Sequence, residues 1–203
     1  SGDCWKTSLE DGQIIKSKIL INASGPWINE TMKNIIKVNS NKKIRLVKGS
    51  HIITKKFYNE KIAFTLQNDD NRIIFVIPYN EKFSLIGTTE IEVNSPDENK
   101  IDDYEINYLI DCVNKYFVKQ INKNDIVETY SGIRPLIEDF KEANKVTRDY
   151  IFDLNTNNKL PILSIYGGKL TTYRKLSEKA LNELSKFLPV DAKKSWTDKK
   201  RLI

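Results

Sequence analysis

The sequence predicts a mixed α+β / α/β fold, in which the end of a doubly wound sheet is joined to an antiparallel sheet covered by helices. Three observations carry that expectation. The run "SKILINASGPW" is almost continuously apolar and closes on small residues and a proline, as a strand buried on both faces of a parallel sheet does. Between Ile44 and Val93, short β-rich segments alternate with polar turns such as "NDDN" and "YNEK", the pattern of antiparallel strands. Later, "LPILSIYGGKLTTYRKLSEKA" takes an apolar strand through two glycines straight into an amphipathic helix.

Each element follows from local pattern. Trp5 and Thr7 open a strand that turns at "EDGQ". After the apolar run, Ile28, Met32, Ile35 and Ile36 fall on one helical face, which ends before the polar "NSNKK". Strand, small-residue turn and helix make half of a βαβ unit. The middle strands are "IRLVKGSHIIT", "KIAFTLQ", "RIIFVIPY" and "FSLIGTTEIEV". A helix follows, with Asp102 as its cap, Glu105 three residues on, and Ile106, Leu109, Ile110, Val113 and Phe117 as its buried stripe. Cys112 lies on its inner side as a small core residue. "DIVETYSGIRPLI" and "VTRDYIFDL" read as two more strands, and the last helix shows Tyr173, Leu176, Ala180, Leu184 and Phe187 on one face before Pro189 stops it. The expected organisation is a terminal strand and helix over 1–40, an antiparallel domain over 41–160, a strand and helix over 161–190 that return to the first domain, and a linker over 191–203.

Bulk properties narrow the class. The chain of 203 residues, 39% hydrophobic, is long enough to bury a core. Its +6 charge arises from 33 basic and 27 acidic residues that are interspersed, which argues against a nucleic-acid-binding tract. Lysine-rich pieces at Lys55-Lys56 and at Lys193 to Arg201 suit a solvated face or an anionic membrane surface. Cys4 and Cys112 have neither metal-ligand nor disulfide-framework spacing, so no metal site is expected. No signal peptide and no membrane-spanning run is read, which gives a cytoplasmic expectation.

Four stretches could carry chemistry. At Gly167 to Thr172 the glycines allow a sharp turn and close backbone approach, and the helix start offers unpaired amides and the positive end of a dipole. An electron-rich group suits that place, with Lys169 adding a charge. Thr171 fits as helix cap or ligand donor, and a plain capped turn is the competing reading. "NASG" sets small residues at the end of a strand, where doubly wound sheets bind ligands. "KGSH" brings Lys48 and the chain's single histidine, His51, around a glycine and a serine. "SGIRP" puts Arg134 in an apolar segment, where it needs an anion, either a ligand or a structural carboxylate. His51 could equally be a hydrogen-bonded strand-end residue. Thr88, Thr89 and Glu90 suit sheet stabilisation. Together the set fits an anionic substrate and proton removal.

"NASGPW", "KGSH", "RIIFVIPY", "IGTTE", "TYSGIRPL", "TRDY" and "GGKLTTYRKL", in this order, closely resemble the FAD-dependent glycerol-3-phosphate dehydrogenases of the respiratory type. The likeness runs from Ile19 to Leu188. It implies a flavoprotein architecture like that of D-amino-acid oxidase, with FAD as cofactor, and hydride transfer from C2 of sn-glycerol 3-phosphate to the flavin, giving dihydroxyacetone phosphate, with electrons passed to a membrane quinone. By the same resemblance Arg134 holds substrate through its phosphate, Lys169 lies near substrate and flavin, and His51 sits beside the substrate hydroxyl. Which of them takes the proton stays open. Gly168, Leu170 and Thr171 would meet the flavin, and Ala23, Ser24 and Gly25 the nucleotide half of FAD.

Ser24 stands where threonine is commoner, and Glu90 where aspartate often occurs. The family's G-x-G-x-x-G turn, an upstream arginine and a helical domain after Trp196-Thr197 have no counterpart in the sequence. The resemblance therefore implies an internal piece of such an enzyme, inactive and poor at binding FAD by itself. Such a piece is either a truncated gene product or one part of a split enzyme whose nucleotide-binding half sits on another chain, and its membrane contact would be peripheral, on the inner face. Two alternatives are a fragment similar to amino-acid oxidases and a non-catalytic basic module for nucleic acid or acidic lipid.

Overall fold

The computed structural model describes residues 4–38, 42–137, 149–156, 160–189 and 196–200. The chain divides into two units, one formed by Arg45–Arg134 and the other by Ser1–Ile44 with Pro135–Ile203.

The Arg45–Arg134 unit is built on an antiparallel sheet. Its strands are β4 (Ile44–Lys55), β5 (Phe64–Gln67), β6 (Ile73–Tyr79), β7 (Phe83–Gly87), β8 (Ile91–Val93) and β9 (Ile126–Ile137), in the order β5-β6-β7-β4-β8, with β9 also pairing β4. Alternation sets the two faces: along β6, Ile74 and Val76 are fully buried while Ile73, Phe75, Ile77 and Tyr79 point outward. Helix α2 (Asp103–Tyr116) covers the inner face, and Leu109, Ile110, Cys112 and Val113 pack with Ile52, Leu66, Ile74, Val76 and Ile86. Its start is the expected capping box, in which Asp102 accepts from the Glu105 amide and Glu105 accepts from the Asp102 amide.

"FSLIGTTEIEV" is not one strand. β7 pairs with β4 from Lys55↔Phe83 to His51↔Gly87, and β8 pairs with it from Lys48↔Ile91 to Leu46↔Val93. Thr88, Thr89 and Glu90 therefore stand opposite only Gly49 and Ser50, a β-bulge that carries one extra residue.

In the other unit, β1 (Trp5–Ser8) and β2 (Ile14–Ser17) form a hairpin. A three-stranded sheet has the order β10-β11-β3, where β10 is Tyr150–Asn155, β11 is Ile162–Gly167 and β3 is Leu20–Asn22. β10 runs antiparallel to β11, and β3 runs parallel to it. The β3 strand is shorter than its apolar run suggested, and Ile21 at this sheet edge is exposed, so the expected burial on both faces does not hold there.

The segment after β3 begins as the turn Gly25–Trp27 and α1 (Ile28–Glu30), then widens into a π-helix over Thr31–Ile36. The widened turn rotates later residues off the expected face: Ile28 and Met32 are buried, but Ile35 is exposed. Helix α3 (Tyr173–Leu184) packs Ala180 and Leu184 on Leu163 of β11. Tyr173, expected on that stripe, is exposed. The expected linker at 191–203 and the Thr147-Arg148 part of "TRDY" lie largely or wholly outside the described residues. Among the described residues no helix is long and apolar enough to cross a membrane.

Candidate active site

Two groups of the sequence-predicted site residues come together, one in each unit. The first sits at the carboxyl-terminal edge of β3 and β11. Because these strands are parallel neighbours with Asn22 opposite Ser164, the Ala23-Ser24-Gly25 turn and the Gly167-Gly168-Lys169 turn leave the sheet at the same edge. That edge is where open α/β sheets bind nucleotide ligands. Buried Asn22 shapes the first turn: its side-chain amide donates to Ile28 O at 3.1 Å, and its Oδ1 accepts from the Ser24 hydroxyl at 2.7 Å. Asn22 Oδ1 also accepts from the Ser24 amide at 3.3 Å, and Ser24 O accepts from the Trp27 amide at 3.2 Å, so the Ser24 hydroxyl proton and both backbone groups are committed to the turn.

The second turn needs its glycines. Gly167 and Gly168 have φ of 73° and 102°, and a Cβ at Gly167 would lie 2.8 Å from the carbonyl oxygen of Asp149. A short 3-10 turn, Leu170–Thr172, then feeds α3. Thr172 closes it, donating to Lys169 O at 2.9 Å. Thr171 is exposed and makes no capping bond among the described residues, which removes it as the helix cap. Among the described residues no side chain caps the Leu170 and Thr171 amides at the positive end of the helix. Lys169, Leu170 and Gly168 are exposed at the same place. These features fit a flat, acceptor-rich ring such as a flavin: a glycine turn without side chains, amide donors without a side-chain cap among the described residues and an exposed cation.

The second group lies on the sheet of the Arg45–Arg134 unit, on the face opposite α2. Gly49 and His51 of β4, Gly87 of β7, and Tyr130 and Arg134 of β9 point that way, since Ser50, Ile52, Ile86 and Ser131 occupy the alternate positions. Arg134 lies flat over Gly49: a Cβ there would come within 2.4 Å of its Nη2. His51 lies over Gly87, where a Cβ would meet its Cδ2 at 2.1 Å. The imidazole stacks on Tyr130, with centroids 4.7 Å apart and 7° between planes, and Arg134 Nη2 donates to Thr88 Oγ1 at 3.1 Å. His51 Nδ1 is buried and makes no hydrogen bond among the described residues. Burial, and then the neighbouring Arg134 charge, hold the His51 pKa below the ordinary histidine value, so the imidazole is neutral at neutral pH.

Behind this face is a buried ionic network that the motif reading missed. Lys48 is turned inward: its Nζ lies 2.8 Å from Glu105 Oε2 and donates to Lys100 O at 2.8 Å. It is not available to an anion on the His51 face, as "KGSH" had suggested. Glu105 is fully buried. Burial raises its pKa, but the bonds from Lys48, Thr89, Ser50 and the Asp102 amide outweigh this and hold it below the usual carboxylate value. The capping-box spacing was the one visible signal of Glu105, and it disclosed only the Asp102 half of its role. Thr88 and Thr89 take part in both groups of contacts, one on each face, because the bulge turns two adjacent side chains to opposite sides of the sheet.

Residues 1–174 match the family described as DAO, FAD dependent oxidoreductase. The chain is 47% identical over 171 residues to the aerobic glycerol-3-phosphate dehydrogenase of Escherichia coli, covering 83% of this chain and 34% of that protein. It is 40% identical over 176 residues to the D-erythritol 1-phosphate dehydrogenase of Brucella abortus, covering 86% of this chain and 35% of that one. Among solved structures, the glycerol-3-phosphate dehydrogenase of Bacillus halodurans complexed with FAD aligns with a TM-score of 0.71 at 25% identity, over 88% of this chain and 34% of that one. The chain thus spans about a third of the length of these relatives. A match across most of the sequence, on a fold that places a glycine turn and helix start at the carboxyl edge of parallel strands, shows that the chain belongs to the DAO family of FAD-dependent oxidoreductases.

Proposed function

We propose that this chain supplies the substrate-binding sheet and the flavin-facing helix of an enzyme that oxidises sn-glycerol 3-phosphate to dihydroxyacetone phosphate. The observation that carries the proposal is the pairing of a guanidinium with a neutral imidazole on one face, both laid over glycines. Arg134 would bind the phosphate dianion by charge-assisted hydrogen bonds, its orientation fixed by Thr88 and by contact with Gly49. His51, kept neutral by burial and by Arg134, would accept the C2 hydroxyl proton as the hydride leaves C2. Bound FAD would supply the hydride acceptor and hand the electrons to a quinone. Gly168, Leu170 and Thr171 would line the ring, and their amides would stabilise the negative charge that reduction brings. Lys169 would add its charge beside the flavin, and the Ala23-Ser24-Gly25 turn would follow the nucleotide half of FAD.

Because the chain spans about a third of its relatives' length, we assign the dinucleotide-binding turn to polypeptide outside these 203 residues. Quinone delivery and peripheral contact with the inner face of the cytoplasmic membrane complete the proposal, and the lysine-rich pieces are its support for the latter.

A chimera tests it. This chain replaces the matching segment of the Escherichia coli relative, and turnover is measured with a quinone analogue. Oxidation of glycerol 3-phosphate is expected, with Arg134→Lys lowering kcat/KM about 100-fold through loss of bidentate phosphate binding. His51→Gln should act mainly on kcat. Full activity in the Arg134→Lys chimera would remove the phosphate assignment, and turnover of glycine in place of glycerol 3-phosphate would favour an amino-acid oxidase. D-erythritol 1-phosphate as a third substrate tests how long a polyol chain the face accepts.

A further inference from the structure

We propose that Glu105 is a positioning residue: from the far side of the sheet, its single carboxylate clamps the three chain segments that present His51, Thr88 and Arg134. A helix cap uses only Oε2, through the Asp102 amide at 3.1 Å. The other oxygen does something no cap requires. Oε1 accepts from the Ser50 hydroxyl of β4 at 2.8 Å and from the Thr89 hydroxyl of the bulge at 2.6 Å.

Donor counting fixes the rest of the chain of bonds. Ser50 and Thr89 each have one hydroxyl proton, and both protons go to Glu105. In the 2.7 Å contact between the Ser50 and Ser131 hydroxyls, Ser131 of β9 must therefore be the donor. The Ser50 amide donates to Thr89 Oγ1 at 2.9 Å, and the Thr89 amide donates to Ser50 O at 3.2 Å, which locks the bulge in register. Lys48 neutralises the carboxylate from the same side.

Each anchored residue is next in sequence to one that faces the substrate side. Ser50 adjoins Gly49 and His51, Thr89 adjoins Thr88, and Ser131 adjoins Tyr130. A slip of any of the three segments would move the imidazole off Tyr130 or the threonine off Arg134. Cores are close-packed and a carboxylate with this many donors tolerates little displacement, so the back face sets the spacing of the front. This inference rests on the proposed role of that front face, but its test reads geometry and not turnover, so the two can fail separately.

The chain has one histidine, so the His51 ring protons are assigned in a carbon-proton NMR spectrum of the 203-residue protein without further labelling. In the wild type the Tyr130 ring should move the His51 Cε1–H signal upfield, and the titration midpoint should fall below that of free histidine. In Glu105→Gln the signal should return toward the free position, and the midpoint should rise by about half a unit as the imidazole loosens from its buried place. Loss of the negative charge alone would lower the midpoint, so the sign separates positioning from direct electrostatics. Ser131→Ala removes one hydroxyl from a half-buried site and should shift the signal the same way by a smaller amount, with the core methyl signals unchanged.

Should Glu105→Gln fail to fold, the Ser131→Ala spectrum decides. An unmoved His51 signal and midpoint in either folded variant, a falling midpoint in Glu105→Gln, or a wild-type signal already at the free position would overturn the proposal. A purely structural Glu105 would lower the melting temperature and leave His51 where it is.

Discussion

At the scale of single residues, two glycines decide what the substrate-side face can be. Gly87 leaves room for the His51 ring and Gly49 for the Arg134 guanidinium, and neither has the positive φ that would otherwise explain a glycine. Gly87→Ala should push the imidazole off Tyr130 and lower kcat in the chimera by about 10-fold or more, since ångström-scale misplacement of a reacting group is costly. Circular dichroism should show the fold retained, and unaltered kcat would mean that the ring position is unimportant. His51 also has a stability consequence. Its folded pKa is depressed, so the unfolded chain binds the proton first as pH falls below about 6.5. The stabilisation from the neutral, stacked imidazole is fully present above that pH and is lost as pH drops through the lower, folded value. Thermal melts of wild type and His51→Gln between pH 7.5 and 5 should diverge in that sense, with the wild type losing more on acidification; parallel curves would contradict the depressed pKa.

At the scale of elements, α2 is the piece whose sequence and structure agree most closely. Its cap, its inner cysteine and the Leu109, Ile110 and Val113 part of its stripe follow from spacing of three and four residues and are found, while Ile106 is half-buried and Phe117 packs on the same cluster from just past the helix end. Asp102→Ala should cost about 1 kcal/mol, the usual value of a lost N-cap, measured as a lower urea midpoint at unchanged slope. A much larger loss would show that the Asp102 amide–Glu105 bond fails along with the cap. The elements that the sequence hid share one cause. Local periodicity discloses which face a residue takes, but not a change in turn width or register. The π-turn that exposes Ile35 and the bulge that splits β7 from β8 are both one-residue events, invisible to hydrophobic alternation. The same holds for the site. The Gly167-Gly168 turn, His51 and Arg134 stood out because paired glycines, a lone histidine and an arginine in an apolar segment are chemically unusual where they stand. Lys48 was grouped with the residues for an anionic substrate because its partner lies 57 residues away, on a helix that pairs with the sheet only in three dimensions.

At the scale of the whole molecule, the two units differ in how the chain builds them. The Arg45–Arg134 unit is one continuous stretch, and its sheet and α2 enclose their own apolar cluster, from Ile52 and Leu66 to Leu109 and Val113. The other unit is discontinuous: β3 finds its parallel partner β11 only after the whole intervening stretch has been made, so Leu20↔Ile162 is a long-range closure. Contacts of that separation form late and carry a loop entropy that local pairs such as β6–β7 do not. A polypeptide of residues 44–137 should therefore fold without the remainder, because every residue of its core and every member of the Glu105 network lies within it. Cooperative urea unfolding and an upfield-shifted His51 signal like that of the full chain would establish this. A collapsed state with native helix content but no fixed His51 environment would show instead that the antiparallel sheet borrows its register from the other unit, and that the back-face clamp acts only once the whole chain is in place.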